Sequence, residues 1–165
     1  MARVDDFNDG PSAQAGEALR ACNAAPRFAA EVMAGRPYPD ADTLVARAEA
    51  VARSLAWDEV AVALAAHPRI GDRPEGSSAE AQASRREQSS MTDADAATRT
   101  ALVEGNRAYE ERFGYVFLIR AAGRSSEEML AELRRRLAND AEAERAEATE
   151  QLAQITGHRV RGLVS

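Results

Sequence analysis

The sequence contains no lysine: all 21 of its basic residues are arginine. That absence excludes a Schiff-base mechanism and lysine-anchored pyridoxal phosphate, because both need a primary amine. A lone cysteine, Cys22, rules out an internal disulfide and a thiolate zinc cluster. Two histidines, His67 and His158, are too few for a multi-histidine metal site. Aromatic residues make up only 5% of the chain, and β-branched runs are scarce. No apolar stretch approaches the roughly 20 residues a membrane-spanning helix needs. Basic charge is not in excess either. A net charge of -6 and a pI near 5.1 give no electrostatic footprint for nucleic acid. The opening Met-Ala-Arg-Val-Asp-Asp has no apolar signal region, and the closing Gly162-Leu163-Val164-Ser165 is not a peroxisomal address. The expectation is a cytoplasmic protein without membrane or nucleic-acid partners.

What is present favours helices. Hydrophobic residues at 45% and charged residues at 29% are ordinary for a soluble globular chain. Alanine, a strong helix former, is abundant. A chain of 165 residues is the size of one domain, and no repeat or linker divides it. The reading is all-α: a single compact bundle-like domain of about seven or eight helices over residues 1–165, with 1–10 a flexible polar segment.

Helical spacing places the elements. Pro11 to Asn23 forms one helix with Leu19 and Cys22 on a face, Pro26 interrupts, and a short helix covers about Arg27 to Met33. Gly35-Arg36-Pro37-Tyr38-Pro39 is a turn. Asp42 caps a helix carrying Leu44, Val45, Ala48, Val51 and Leu55. Trp57 to Ala66 is apolar, with Val60, Ala61 and Leu64 inward, and ends at His67 because Pro68 disfavours helical geometry before it. Residues 68 to 78 read as a functional loop, and Ala79 to Ser89 as helix. A longer helix runs from Asp93 or Asp95 to Phe113, burying Leu102, Tyr109 and Phe113, and Gly114 stops it. Tyr115-Val116-Phe117-Leu118-Ile119 has no second strand to pair with and reads as a buried extended connector or helix start. Ser126 caps a helix burying Met129, Leu130, Leu133 and Leu137. A final helix from about Ala141 to Thr156, with Ala148, Leu152 and Ile155 inward, stops at Gly157.

Four segments can carry chemistry. In His67-Pro68-Arg69-Ile70-Gly71-Asp72, a histidine at a helix end opens into a glycine-containing loop. The helix C-terminus favours its protonated form, and it can donate a proton near neutral pH. On spacing alone, a histidine that merely caps its helix is the commoner arrangement. In Ser84-Arg85-Arg86-Glu87-Gln88, positions 84, 87 and 88 share one helical face, so a hydroxyl, a carboxylate and an amide converge. Solvated charged faces are also common. The third segment runs from Asn106 to Phe117, where Tyr109 and Phe113 are spaced for burial. Arg112 there either binds an anion or pairs with Glu104 or Glu110. The fourth is Arg159, two residues past the Gly157 stop, which can clamp a carboxylate in bidentate fashion or stand as an exposed tail charge.

Together and in this order, these segments resemble the 2-oxo-4-hydroxy-4-carboxy-5-ureidoimidazoline (OHCU) decarboxylase family. His67-Pro68-Arg69-Ile70-Gly71 is similar to its His-Pro-x-Ile-Gly signature, and Ser84-x-x-Glu87-Gln88 to its Ser-x-x-Glu-Gln element. Asn106-x-x-Tyr109-x-x-Arg112-Phe113-Gly114-x-x-Phe117 matches a third stretch. Arg136-Leu137-x-Asn139-Asp140, followed by Glu144, Gln151, Ile155 and Arg159, matches the C-terminal helices. Arg36-Pro37-Tyr38 resembles an Arg-Pro-Phe turn, so the similarity covers roughly residues 20 to 164. The chain departs from the pattern at Val116, usually proline, and at Arg120, in a normally apolar stretch. Ser89-Ser90-Met91 and Phe28 also differ.

The resemblance implies an all-helical, often dimeric enzyme without metal or organic cofactor, decarboxylating OHCU to (S)-allantoin in urate breakdown. His67 becomes the general acid/base, and Glu87 orients it or the substrate hydroxyl. Pro68 lines the wall, and Ser84 with Gln88, in the segment that includes Arg85 and Arg86, holds ureido or ring carbonyls. The backbone of Phe117, Leu118, Ile119, Arg120 and Ala121 supplies amide hydrogen bonds, and Arg159 meets the carboxylate. The partner is thus a small ureidoimidazoline, with a homodimer expected. Two other readings compete: a metal-assisted hydrolase using His67, Asp72, Glu87 and His158, and a non-catalytic helical binding module.

Overall fold

The computed structural model describes residues 3–68 and 96–165. Among the described residues there are eight helices and no strand: α1 Val4–Asp9, α2 Ser12–Cys22, α3 Pro26–Ala34, α4 Ala41–Arg53, α5 Trp57–Ala65, α6 Ala96–Phe113, α7 Ser126–Leu137 and α8 Ala141–Val164. The expected all-helical class holds. None of these helices is long and apolar enough to cross a membrane. The loop and helix expected over residues 69–89 lie outside the described residues. The chain divides into two compact units, Met1–Ala63 with Leu152–Ser165, and Leu64–Gln151.

In the first unit the buried residues fall at helical spacing. Leu19 and Cys22 of α2, Phe28 and Val32 of α3, and Leu44, Ala48 and Val51 of α4 are buried, as are Leu152, Ile155 and Val160 of α8. Asp40, not Asp42, caps α4: its Oδ1 accepts from the Thr43 amide at 2.7 Å. The capping position must precede the first helical residue, and Asp42 already lies inside the helix.

Residues 4–9 are not a frayed segment but α1, with Phe7 buried. Its cause is tertiary. Arg36 donates to the Phe7 carbonyl at 2.6 Å and the Gly10 carbonyl at 3.3 Å, and its guanidinium lies 5.7 Å from the Phe7 ring centroid. Asn8 and Tyr38 exchange two hydrogen bonds of 2.8 Å. A six-residue helix could not persist alone.

The second correction concerns Gly157, which does not stop the last helix. A Cβ there would stand 2.7 Å from Glu49 Cγ, so the missing side chain permits close packing inside α8. The helix therefore continues to Val164.

In the second unit α6 packs on α7. Leu102 and Tyr109 from α6, Met129 and Leu133 from α7, and Phe117, Ile119 and Ala121 from the intervening segment form one core cluster. Phe113, Leu130 and Leu137 are only partly buried at its edge, where full burial was expected. Gly114 ends α6 at φ 84°, and its amide donates to the Glu110 carbonyl at 2.8 Å. The cap of α7 is Ser125, which accepts from the Glu128 amide at 3.1 Å, while Ser126 is buried at the first helical position.

Candidate active site

His67 and Pro68 follow α5 in the second unit, and both are half-buried. The His67 amide donates to the Leu64 carbonyl at 3.0 Å, so the last turn of the helix holds the residue at its start. Ser84, Arg85, Arg86, Glu87 and Gln88, together with Asp72, lie outside the described residues.

Residues 115–121 have neither strand nor helix geometry, so of the two alternatives the sequence left for Tyr115 to Ile119, a connector or a helix start, the connector holds. Phe117, Leu118, Ile119 and Ala121 are each at most 3% exposed. Two hydrogen bonds pin this buried stretch. The Leu118 carbonyl accepts from Arg136 Nη1 at 2.8 Å, and the Arg120 amide donates to Gln151 Oε1 at 2.8 Å. The amides of Phe117, Leu118, Ile119 and Ala121 meet no acceptor among the described residues. Buried main-chain donors are almost always paired, so amides left without an acceptor among the described residues suit a ligand rich in carbonyl oxygens. Of the five amides expected to serve a substrate, that of Arg120 is already committed to Gln151.

What fixes the stretch is a buried ionic network that spacing did not reveal. Arg136 and Glu144 are 1% and 0% exposed. Arg136 Nε lies 2.9 Å and Nη2 2.5 Å from Glu144 Oε2. Glu144 also accepts from the Tyr109 hydroxyl and from Asn139 Nδ2, the latter at 3.1 Å. The same guanidinium stands 4.6 Å from the Phe117 ring centroid. Burial, reinforced by the hydrogen bond to Glu144, pushes the Tyr109 hydroxyl far above the ordinary tyrosine range. Burial likewise raises Tyr115. Arg136, Asn139, Glu144 and Gln151 stood in the family-like C-terminal pattern. Only the fold shows that they hold the connector.

Arg112 neither pairs with Glu104 nor with Glu110 in its recorded hydrogen bond: Nη2 donates to the Asn139 carbonyl at 2.8 Å, and the guanidinium covers the Phe113 ring at 5.0 Å. In the other unit, Arg159 is not on a tail. It is 7% exposed within α8, and Nη1 donates to the Ala21 carbonyl at 3.4 Å. His158, one residue before it, is exposed.

Comparison with known proteins adds a family. The family model for OHCU decarboxylase matches residues 8–161. The chain is 31% identical over 141 residues to 2-oxo-4-hydroxy-4-carboxy-5-ureidoimidazoline decarboxylase of Amia calva, covering 84% of this chain and 81% of that one. It is 30% identical over 155 residues to the uric acid degradation bifunctional protein TTL of Arabidopsis thaliana, covering 88% of this chain but only 46% of that protein. The chain thus spans about half of that relative. Among solved structures, OHCU decarboxylase in the presence of (S)-allantoin superposes with a TM-score of 0.76 at 26% identity, covering 90% of this chain and 97% of that one. (S)-allantoin synthase superposes with a TM-score of 0.72 at 20% identity, covering 99% of this chain and 54% of that one, and supports the fold alone.

Proposed function

Because the chain belongs to the OHCU decarboxylase family, we propose that it decarboxylates OHCU to (S)-allantoin in urate degradation, with His67 as the proton-handling residue. The observation that carries this reading is the family match over residues 8–161. The likeness to an OHCU decarboxylase structure determined with (S)-allantoin supports it.

The chemistry asks for two things. As carbon dioxide leaves, the bonding pair stays on the ring and is accepted by the adjacent imine. The imine nitrogen then takes up a proton, one face of the neighbouring carbon is protonated, and the hydroxyl proton is released to leave the ring carbonyl. His67, at the end of α5, moves those protons. The open amides of Phe117, Leu118, Ile119 and Ala121 receive ring or ureido carbonyls and stabilise charge as it spreads over the ring. Pro68 packs beside the ring. The family pattern adds Glu87 to orient His67 or the hydroxyl, Ser84, Arg85, Arg86 and Gln88 to hold the ureido group, and Arg159 as a partner of the carboxylate. The protein works as a homodimer in the cytoplasm.

The test is circular dichroism of freshly generated OHCU with wild type and with His67→Ala. Wild type should yield the (S)-allantoin signal rapidly, and loss of the acid/base should lower kcat/KM by about 10²- to 10⁴-fold. Unchanged racemic decay with wild type would overturn the assignment. An undiminished rate in the variant would remove His67 from it.

A further inference from the structure

We infer that the guanidinium of Arg120 is a specificity determinant that recognises the carboxylate of the substrate, in addition to the Arg159 that the family pattern assigns to it. The inference rests on the decarboxylase reading and deepens it by naming a further residue that meets the substrate.

Side chains alternate along an extended segment. Phe117, Ile119 and Ala121 all enter the α6–α7 core cluster, whereas Leu118 and Arg120 are not part of it. Arg120 therefore stands on the opposite face of the stretch that carries the open amides. Its backbone is anchored by the 2.8 Å bond to Gln151. Its side chain is not. Nε is shielded from solvent without a hydrogen-bond partner, and the guanidinium makes no ion pair among the described residues. Arg136, by contrast, spends its whole fork on Glu144 and Leu118.

A shielded guanidinium N–H without an acceptor is costly to keep, and an arriving anion removes that cost. The planar fork suits a carboxylate, which can accept two parallel hydrogen bonds. Substrate carries such a group and the product (S)-allantoin does not. Arg120 should therefore distinguish the two, binding the molecule before carbon dioxide departs and releasing it afterwards.

The experiment compares Arg120→Met and Arg120→Lys with wild type in the full chain, measuring KM for OHCU and the inhibition constant of (S)-allantoin. Loss of one charge-assisted contact should raise KM about tenfold to a hundredfold in Arg120→Met. Arg120→Lys should recover part of it. The inhibition constant of (S)-allantoin should move less than about twofold, a limit set by ordinary surface substitutions. Thermal melting of Arg120→Met should match or exceed wild type, since no side-chain partner among the described residues is lost. An unchanged KM, an equal weakening of substrate and product, or loss of the fold in both variants would each overturn the inference. Wild type that fails to accelerate OHCU loss would instead refute the decarboxylase reading itself.

Discussion

Replacing Glu144 by glutamine removes the negative end of an ion pair closed to water on both sides. Glu144 and Arg136 are 0% and 1% exposed, so solvent cannot screen what is left behind. The guanidinium would lose its counter-charge while keeping its place among Tyr109, Phe117 and the Leu118 carbonyl. Breaking one side of a buried pair costs about 3–5 kcal/mol, against a total stability of roughly 5–15 kcal/mol for a typical domain. For a chain of this size the melting midpoint should fall by about 6–20 °C. Helical circular dichroism followed in urea and on heating measures this directly. The double variant Arg136→Met with Glu144→Leu should be less destabilised than the sum of its single changes by at least about 2 kcal/mol. It should still bind substrate weakly, because the Leu118 carbonyl loses its donor. A Glu144→Gln cost below about 1 kcal/mol, the size expected of an exposed pair, would refute the reasoning.

Two further outcomes follow from the same packing. All three tyrosines, Tyr38, Tyr109 and Tyr115, titrate above the ordinary value of 10.0, in each case chiefly through burial. A raised tyrosine value favours the fold fully below pH 10 and loses that contribution as pH rises through the folded values. Native protein near pH 10 should thus show little tyrosinate absorbance at 295 nm, with a sharp gain on adding urea, and equal absorbance before and after would contradict the burial. Separately, Ser125→Ala should cost about 1 kcal/mol in chemical denaturation by removing the cap of α7. An unaffected midpoint would show that the cap is dispensable.

The sequence was most legible where one local rule decided the outcome. Helical spacing located the buried faces of α2, α4 and α8, Pro68 closed α5, and Gly114 closed α6. It was least legible where a residue admits two physical roles. Gly157 looked like a helix stop because glycine often ends helices, yet here it makes room for Glu49. That single difference moves Arg159 from a tail into a buried helix. Ser126 and Asp42 looked like caps, but neighbouring Ser125 and Asp40 hold the helix-preceding geometry a cap requires.

By itself, then, the sequence determined the helical class and the order of the family motifs, since these depend on residue type and short-range spacing. Only the tertiary structure decided how the connector is held. Arg136 reaches Leu118 across 18 positions, and Gln151 reaches Arg120 across 31. The pairing partner of a buried charge or an open amide is chosen by proximity in space and exclusion of water, and helical periodicity carries neither.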